Sequence, residues 1–277
     1  MQAATWGYEG SRAVVSGGGG AGMGAATVRH LVELGAEVHV LDLKEPPVDV
    51  ASYQPVDLRE PDAVSAAVER VGGTIDALFN CAGLPGTKFP DLDVMLVNFV
   101  GMRHLAELAA ARMVPGSAIV SISSTAGSGY LANLGKWMPL VTAPGVEAAR
   151  TWCETHPDDI AGGYGPSKEA IIVWTLWAAY GLAERGIRVN CISPGPTETP
   201  MMPDFEKYVG KEFMDSFPVP LGRRSTPDEQ AWPLIFLNSK LASFITGENV
   251  VADGGTMGAV MTGAIDVTKL IPAGANQ

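Results

Sequence analysis

The sequence predicts an α/β protein, with a doubly wound parallel sheet and helices on both faces. Three observations predict it. Short apolar runs of strand length alternate with longer segments of helical periodicity from Arg12 to Ala252. The first strand and helix are joined by a glycine-rich turn, Gly17 to Gly24, and an acid, Asp42, ends the strand that follows. No linker-like stretch, solenoid repeat or low-complexity tract divides the chain, so residues 1–277 read as one domain.

Arg12 to Ser16 gives the first strand around the buried run Ala13-Val14-Val15. After the glycine turn, Ala25 to Leu34 is a helix with apolar Val28, Leu31 and Val32, closed by Gly35. Glu37 to Leu41 is the second strand, and Asp42 ends it. Strand, glycine turn, helix and strand make a βαβ unit of the Rossmann type. Its glycines let the backbone approach a pyrophosphate, and its helix N-terminus favours negative charge. The alternative is a glycine-rich surface loop. The flanking strand and helix, with an acid twenty residues beyond Gly22 (42 − 22), favour dinucleotide binding. A carboxylate at Asp42 can accept from both adenosine ribose hydroxyls and repels a 2′-phosphate, which points to NAD over NADP; Lys44 partly offsets that repulsion.

Val56-Asp57-Leu58 reads as a third strand end, and Pro61 starts a helix to Val71. Asp57 could meet an adenine amino group or serve as a turn acid. Ile75 to Phe79 is a fourth buried strand, running into Asn80-Cys81-Ala82-Gly83, whose small residues would let a ribose lie on the backbone. Asp91 to Met113 reads as one long helix with Asn98 in its middle, either a satisfied core amide or a site residue. Ala118 to Ser123 is the fifth strand. Ser124 stands at its carboxyl end, where open parallel sheets bind ligands. An inserted segment of about residues 130–160 follows, with Trp137, Met138, Trp152 and Cys153, and a short helix over Val146 to Trp152. A helix from Tyr164 to Arg185 ends at Gly186, and Arg188 to Ile192 is the sixth strand. The loop Pro194 to Pro200 leads into an apolar stretch, Met201 to Phe217, within a region of about 200–218 that reads as a lid over a substrate site or as helical packing. Pro227 to Leu237 is a helix, and Asn249 to Ala252 is a last strand before Asp253-Gly254-Gly255.

Composition narrows the function. Apolar residues make up 47%, enough for a sizeable core. The net charge of −11 and pI near 4.8 argue against a phosphate-backbone partner, so no nucleic acid is expected. Cys81, Cys153 and Cys191 lie far apart, without disulfide or metal spacing, which suits a reducing cytoplasm. Met1 to Arg12 has no apolar core of a signal peptide, and no run is long enough to cross a bilayer; a cytoplasmic protein without membrane partners is expected. His30, His39, His104 and His156 are scattered, and no metal is expected.

Tyr164 and Lys168 are four positions apart (168 − 164), so on a helix they project from one face. An ammonium beside a phenol favours phenolate and lowers the phenol's pKa. Such a group can act as a general base toward an alcohol or a general acid toward a carbonyl.

Together, the Gly17–Gly24 turn, Asn80-Cys81-Ala82-Gly83, Asn98, Ser124, Tyr164-x-x-x-Lys168 and Pro194-Gly195 with Thr199 resemble the short-chain dehydrogenase/reductase family over nearly the whole chain. The long segment between Ser124 and Tyr164, the Thr197-Glu198-Thr199-Pro200 run and Gly222-Arg223-Arg224 are similar to its bacterial 3α-hydroxysteroid dehydrogenase/carbonyl reductase branch. The resemblance implies that Tyr164 is the acid/base and that Ser124 holds the substrate oxygen. Lys168 would contact the nicotinamide ribose and lower the Tyr164 pKa, and Asn98 would support a water linking Lys168 to solvent. NAD would lie against Gly18, Gly22, Met23 and Gly24 of the turn, Asp42 and Leu43 at the ribose, and Asp57 and Leu58 at the adenine. Asn80, Cys81, Ala82 and Gly83, Tyr164 and Lys168, and Pro194, Gly195, Thr197 and Thr199 would complete its site.

The sequence departs from the family's pattern in two places. The glycine turn is one residue longer than usual, and the Ser124–Tyr164 gap is 40 (164 − 124). The inserted segment is expected either to alter the packing of a homo-oligomer, dimer or tetramer, or to wall the substrate site. The activity implied is NAD(H)-dependent interconversion of a secondary alcohol and a ketone on a bulky apolar or alicyclic, steroid-like substrate. A non-catalytic NAD-binding sensor of the same fold is the alternative.

Overall fold

The computed structural model describes residues 3–86 and 88–270, with the backbone alone at Ala3, Ala4 and Tyr208. A short helix α1 (Ala3–Trp6) precedes β1 (Arg12–Ser16), α2 (Met23–Glu33), β2 (Glu37–Asp42), β3 (Ser52–Pro55), α3 (Pro61–Val71) and β4 (Ala77–Asn80). Next come α4 (Asp91–Met95), a π-helical turn (Leu96–Gly101), α5 (Met102–Ala110) and β5 (Ala118–Ile122). A 3-10 stretch (Thr125–Leu131), α6 (Leu134–Val141) and α7 (Gly145–Thr155) lead to α8 (Tyr164–Ala183) and β6 (Arg188–Pro194). Then come α9 (Met202–Val209), α10 (Lys211–Asp215), α11 (Pro227–Asn238), β7 (Asn249–Ala252) and α12 (Thr256–Met261), with 3-10 turns at Lys240–Ala242 and Val267–Leu270.

The seven strands run in the order β3-β2-β1-β4-β5-β6-β7, every neighbouring pair parallel. The order reverses between β1 and β4, which opens a crevice at their carboxyl ends. Buried Val, Ile, Ala and Phe run continuously along β1, β4 and β5, as expected where helices cover both faces of a sheet. One core lies among α3, α5, α8 and the sheet; the other lies beneath α2 and α11. At the start of α11, Thr226 and Glu229 form a capping box and Pro227 takes the first turn.

The expected long helix over Asp91 to Met113 is interrupted by the π-helical turn, and Asn98 sits inside it. A Cβ at Gly101, where the turn ends, would run into the Leu58 carbonyl oxygen, so the backbone approaches there as only glycine allows. Apolar periodicity does not report one extra residue in a turn, because the same residues stay buried.

The inserted segment is two helices, of which only the second was expected. Pro139 lies inside α6 and weakens its helical signal. Both helices are part of the core. Trp137, Leu140 and Cys153 join the cluster that holds Ile171 and Trp174 of α8. Arg103 of α5, 4% exposed, donates to the carbonyl oxygens of Leu140 (3.0 Å) and Ala143 and to Glu107 (2.7 Å). Glu169 of α8 accepts from Trp137 Nε1 (2.6 Å) and Asn133 Nδ2 (2.8 Å). The segment thus lies on α5 and α8.

Trp137 is fully buried. Trp137→Ala is expected to cost about 3–5 kcal/mol in urea unfolding, the range for a large core aromatic. A loss below about 1 kcal/mol would show instead a segment peripheral to the core.

Candidate active site

The turn that launches α8 sets the site. Gly162 and Gly163 take φ of +85° and +50°, and Gly162 N–H donates to Asp91 Oδ2 (3.1 Å). Tyr164 is then the first residue of α8, facing the crevice, with Gly86 so close that a Cβ there would lie 2.9 Å from Tyr164 Cβ. One turn on, Lys168 is 4% exposed and donates from Nζ to the carbonyl oxygen of Ile122 (2.9 Å) at the end of β5. Ser123 Oγ donates to the Lys168 carbonyl oxygen (2.8 Å), tying the strand end to the helix. Ser124 Oγ accepts from Ala126 N–H (3.1 Å), capping the 3-10 stretch.

Asn98 is buried with its amide fully hydrogen-bonded, and it braces the site. It accepts from Leu84 N–H (2.7 Å) and donates to the Leu84 carbonyl oxygen (3.0 Å) and to Ser167 Oγ (3.1 Å). Ser167 in turn donates to the Tyr164 carbonyl oxygen (2.7 Å). A Cβ at Gly83 would lie 3.4 Å from Asn98 Oδ1 and 3.9 Å from Lys168 Nζ, so these groups converge around one glycine.

Electrostatics depart from the sequence expectation at Tyr164. Burial pushes its phenol above the ordinary 10.0, and a hydrogen bond with Ser124 acts in the opposite sense. The Lys168 ammonium stands 5.3 Å from the ring centroid. Burial outweighs the Ser124 hydrogen bond here, so the phenol lies above its ordinary value in the chain without a bound ligand. Lys168 itself is brought down to about 8 by burial.

A cavity of about 520 Å³ opens in front of Ser124 and Tyr164. Met23, Pro194, Gly195, Thr197 and Thr199 line one side, and Met201, Met202, Phe205, Phe213, Met214 and Phe217 cover it. The Phe205 ring meets Tyr164 edge-on at 5.1 Å between centroids. Tyr208, expected in the same cover, has its side chain outside the described residues. Thr256, Met257, Val267 and Leu270 also line the cavity. The sequence reading missed them, because nothing after Asp253-Gly254-Gly255 signals a return to the site. No residue of 130–160 lines it, so the insertion does not wall this cavity.

The crevice fits a dinucleotide. A Cβ at Gly19 or Gly24 would run into the Lys44 or Gly17 carbonyl oxygen, while nothing lies within 4 Å of one at Gly22, the residue before α2. The backbone is therefore packed from behind and open in front. The first N–H groups of α2 have no intrahelical acceptor and suit a diphosphate. Gly18 is packed on Val28, with 2.8 Å to an added Cβ. Asp42 accepts from Gly19 N–H (2.8 Å) and Lys44 N–H (2.9 Å), and its neighbour Leu43 is 66% exposed.

Other expected contacts lie elsewhere or are already engaged. Asp57 accepts from Arg59 N–H (2.9 Å) and pairs with its guanidinium (2.7 Å), and that hydrogen bonding holds its carboxyl below the usual range. Leu58 is in the core. Asn80 donates to Ser121 Oγ (3.1 Å) within the sheet, leaving the backbone of Ala82 and Gly83 nearer the crevice. Burial pushes the Cys81 thiol up to about 12. Thr197 Oγ1 is engaged with the Gly195 carbonyl oxygen (3.0 Å) and Ser225 Oγ (2.9 Å), which leaves its backbone for a ligand.

Residues 12–136 match the family model described as short chain dehydrogenase, and residues 155–257 match one described as enoyl-(acyl carrier protein) reductase. The coniferyl-alcohol dehydrogenase of Pseudomonas sp. (strain HR199 / DSM 7063) is 32% identical over 246 residues, covering 88% of this chain and 96% of that one. The chain belongs to the short-chain dehydrogenase/reductase family. It is an oxidoreductase acting on alcohols or ketones. Another family member, the 3-alpha-hydroxysteroid dehydrogenase/carbonyl reductase of Comamonas testosteroni, is 33% identical over 253 residues, with 87% and 95% covered. The solved structure of the 3-alpha-hydroxysteroid dehydrogenase from Pseudomonas sp. B-0831, complexed with NADH, superposes with a TM-score of 0.73 at 30% identity over 92% of this chain and 100% of that one. Among the described residues no helix is long and apolar enough to cross a membrane.

Burial lowers the folded-state pKa of Lys168 from 10.5 to about 8. Between those values the unfolded chain holds more protons than the folded one, so stability on this account rises with pH, and the penalty is complete below about 8. Lys168→Met removes the titration. The wild type is expected to gain on the order of 2–3 kcal/mol relative to this variant between about pH 8 and pH 10.5. Urea unfolding at both ends of that window measures it, and a constant difference would show that the ammonium is not desolvated.

Proposed function

We propose that the protein interconverts a secondary alcohol and a ketone with NAD(H), on a bulky apolar or alicyclic substrate. The observation that carries this reading is the cavity of about 520 Å³, with the Ser124 hydroxyl and Tyr164 phenol on one wall and methionine and phenylalanine side chains over them. The Ser124 and Tyr164 hydroxyls side by side, facing a cover of methionine and phenylalanine, suit one oxygen atom on a hydrocarbon frame. The names of the Comamonas and B-0831 relatives point the same way, toward hydroxysteroids. The Pseudomonas HR199 relative places coniferyl alcohol in the test panel.

NAD would be held by the Gly17–Gly24 turn, Asp42 and the backbone about Ala82, Gly83 and Thr197, and would supply the hydride acceptor. The chain's own groups handle the proton. In the oxidative direction Tyr164 first loses its phenol proton to water in the open cavity, before substrate fills it; burial opposes this and the Ser124 hydrogen bond assists. The phenolate then takes the proton of the substrate hydroxyl, and Ser124 donates a hydrogen bond to the same oxygen. Lys168, fixed by Ile122, cannot swing away from the phenol without leaving its ammonium unpaired in the interior. Phe205 and its neighbours exclude water from the reacting carbon.

Asp42 favours NAD, since its charge at the ribose would meet a 2′-phosphate. The insertion covers part of α5 and α8, and we propose that it alters which faces a homo-oligomer can use. Size measurement before and after deletion of residues 131–158 tests that point.

Absorbance at the NADH band, with NAD and NADP in parallel against steroid, cyclic and aryl alcohols, tests the whole reading. Tyr164→Phe is expected to lower turnover by about 10³-fold while the protein still binds NADH in a fluorescence titration. Turnover that survives the loss of the phenol would overturn the assignment. Asp42→Ala is expected to narrow the preference for NAD over NADP by about tenfold or more in kcat/KM.

A further inference from the structure

Gly222-Arg223-Arg224 has so far no part in the site. Its two arginines do different things. Arg223 is bound to Glu229 at the start of α11 (2.6 and 2.8 Å). Arg224 turns the other way and meets three carboxylates from three segments: Glu206 of α9 (2.8 Å), Asp215 at the end of α10 (2.8 Å) and Glu198 in the loop after β6 (3.3 Å). Its side chain is 15% exposed and that of Glu206 21%, so this pair is the best shielded from water of the three.

Each of these acids stands next to a residue that faces the cavity. Glu206 follows Phe205, Asp215 follows Met214, and Glu198 precedes Thr199. Arg224 itself is outside the cavity lining. The backbone that carries it is fixed: Ser225 N–H donates to the Pro196 carbonyl oxygen (3.0 Å), and Glu198 N–H to the Ser225 carbonyl oxygen (2.8 Å). The two helices it grips are short and separated by Gly210 at φ +93°. Lys211 pairs with Asp215 (2.6 Å), and Lys88 pins Asp204 on α9 (2.5 Å). Without Arg224, Glu198 and Glu206 would have no ion-pair partner among the described residues and Asp215 would keep Lys211, so three carboxylates would crowd together, and like charges at that range repel.

We propose that Arg224 is a positioning residue that holds α9 and α10 closed over the cavity and ties them to the Pro194–Thr199 loop. The proposal rests on the reading of 200–218 as a substrate lid. Arg224 acts through Phe205 and Met214, and touches neither substrate nor cofactor. Exposed ion pairs are screened by salt, so part of the grip weakens as ionic strength rises.

Limited chymotrypsin digestion tests the latch without any turnover, since Phe205, Tyr208 and Phe213 are its sites in this stretch, Phe217 being protected by Pro218. Arg224→Gln is expected to speed cleavage within 202–217 about 5- to 20-fold at unchanged Tm, and 1 M salt to move the wild type the same way. Arg224→Lys should restore part of the protection. Arg223→Gln should leave the lid rate unchanged. With the alcohol that the wild type turns over best, Arg224→Gln should raise KM about tenfold with kcat held within about twofold. If Arg224→Gln does not fold, Glu206→Gln with Asp215→Asn removes two partners and is read in the same way. Lid cleavage and KM both at wild-type values would overturn the latch. Faster lid cleavage in a protein that turns over no alcohol would leave the latch standing and remove the catalytic reading.

Discussion

The buried Lys168 ammonium and the Ile122 carbonyl oxygen that receives it fix the distance between α8 and the carboxyl end of β5. A cation in the interior needs an acceptor, and a strand's last carbonyl is one the sheet leaves free. Ser123 closes the same junction from the other side by donating to the Lys168 carbonyl oxygen. With the helix so placed, Tyr164 can only stand in front of Ser124. Asn98 then fixes the remaining freedom, since its amide joins Leu84 on the neighbouring loop to Ser167 on α8. Backbone groups do much of the holding, which lets the facing side chains keep hydrogen-bonding capacity for a ligand.

Two other parts of the molecule are attached by contrasting means. The 130–160 segment is bound through apolar burial, with Trp137 and Leu140 fully enclosed and Arg103 bonded to its carbonyl oxygens. Such an attachment comes apart only by unfolding part of the core. The helices over the cavity are held on their outer side by ion pairs at Arg224 and Lys88. Partly exposed pairs are weak one at a time, about 0–1 kcal/mol, and can be broken and remade without disturbing the sheet.

The sequence by itself determined the α/β class and the position of nearly every strand, because buried parallel strands are short apolar runs and turns between them use glycine and proline. It also placed Ser124, Tyr164 and Lys168, since the end of a strand and the start of a helix both leave local marks. Tertiary structure decided what no local pattern carries. The π turn that holds Asn98 ends where Gly101 packs on Leu58, forty-three positions away (101 − 58). The pairing of Asp57 with Arg59, and the approach of Val267 and Leu270 to the cavity from a stretch without periodicity, are likewise products of the folded chain. The pKa of Tyr164 moved opposite to the expectation because sequence spacing shows which charge is nearby and does not show how much water has been removed. Desolvation is a property of everything packed around a group, and only the folded chain sets it.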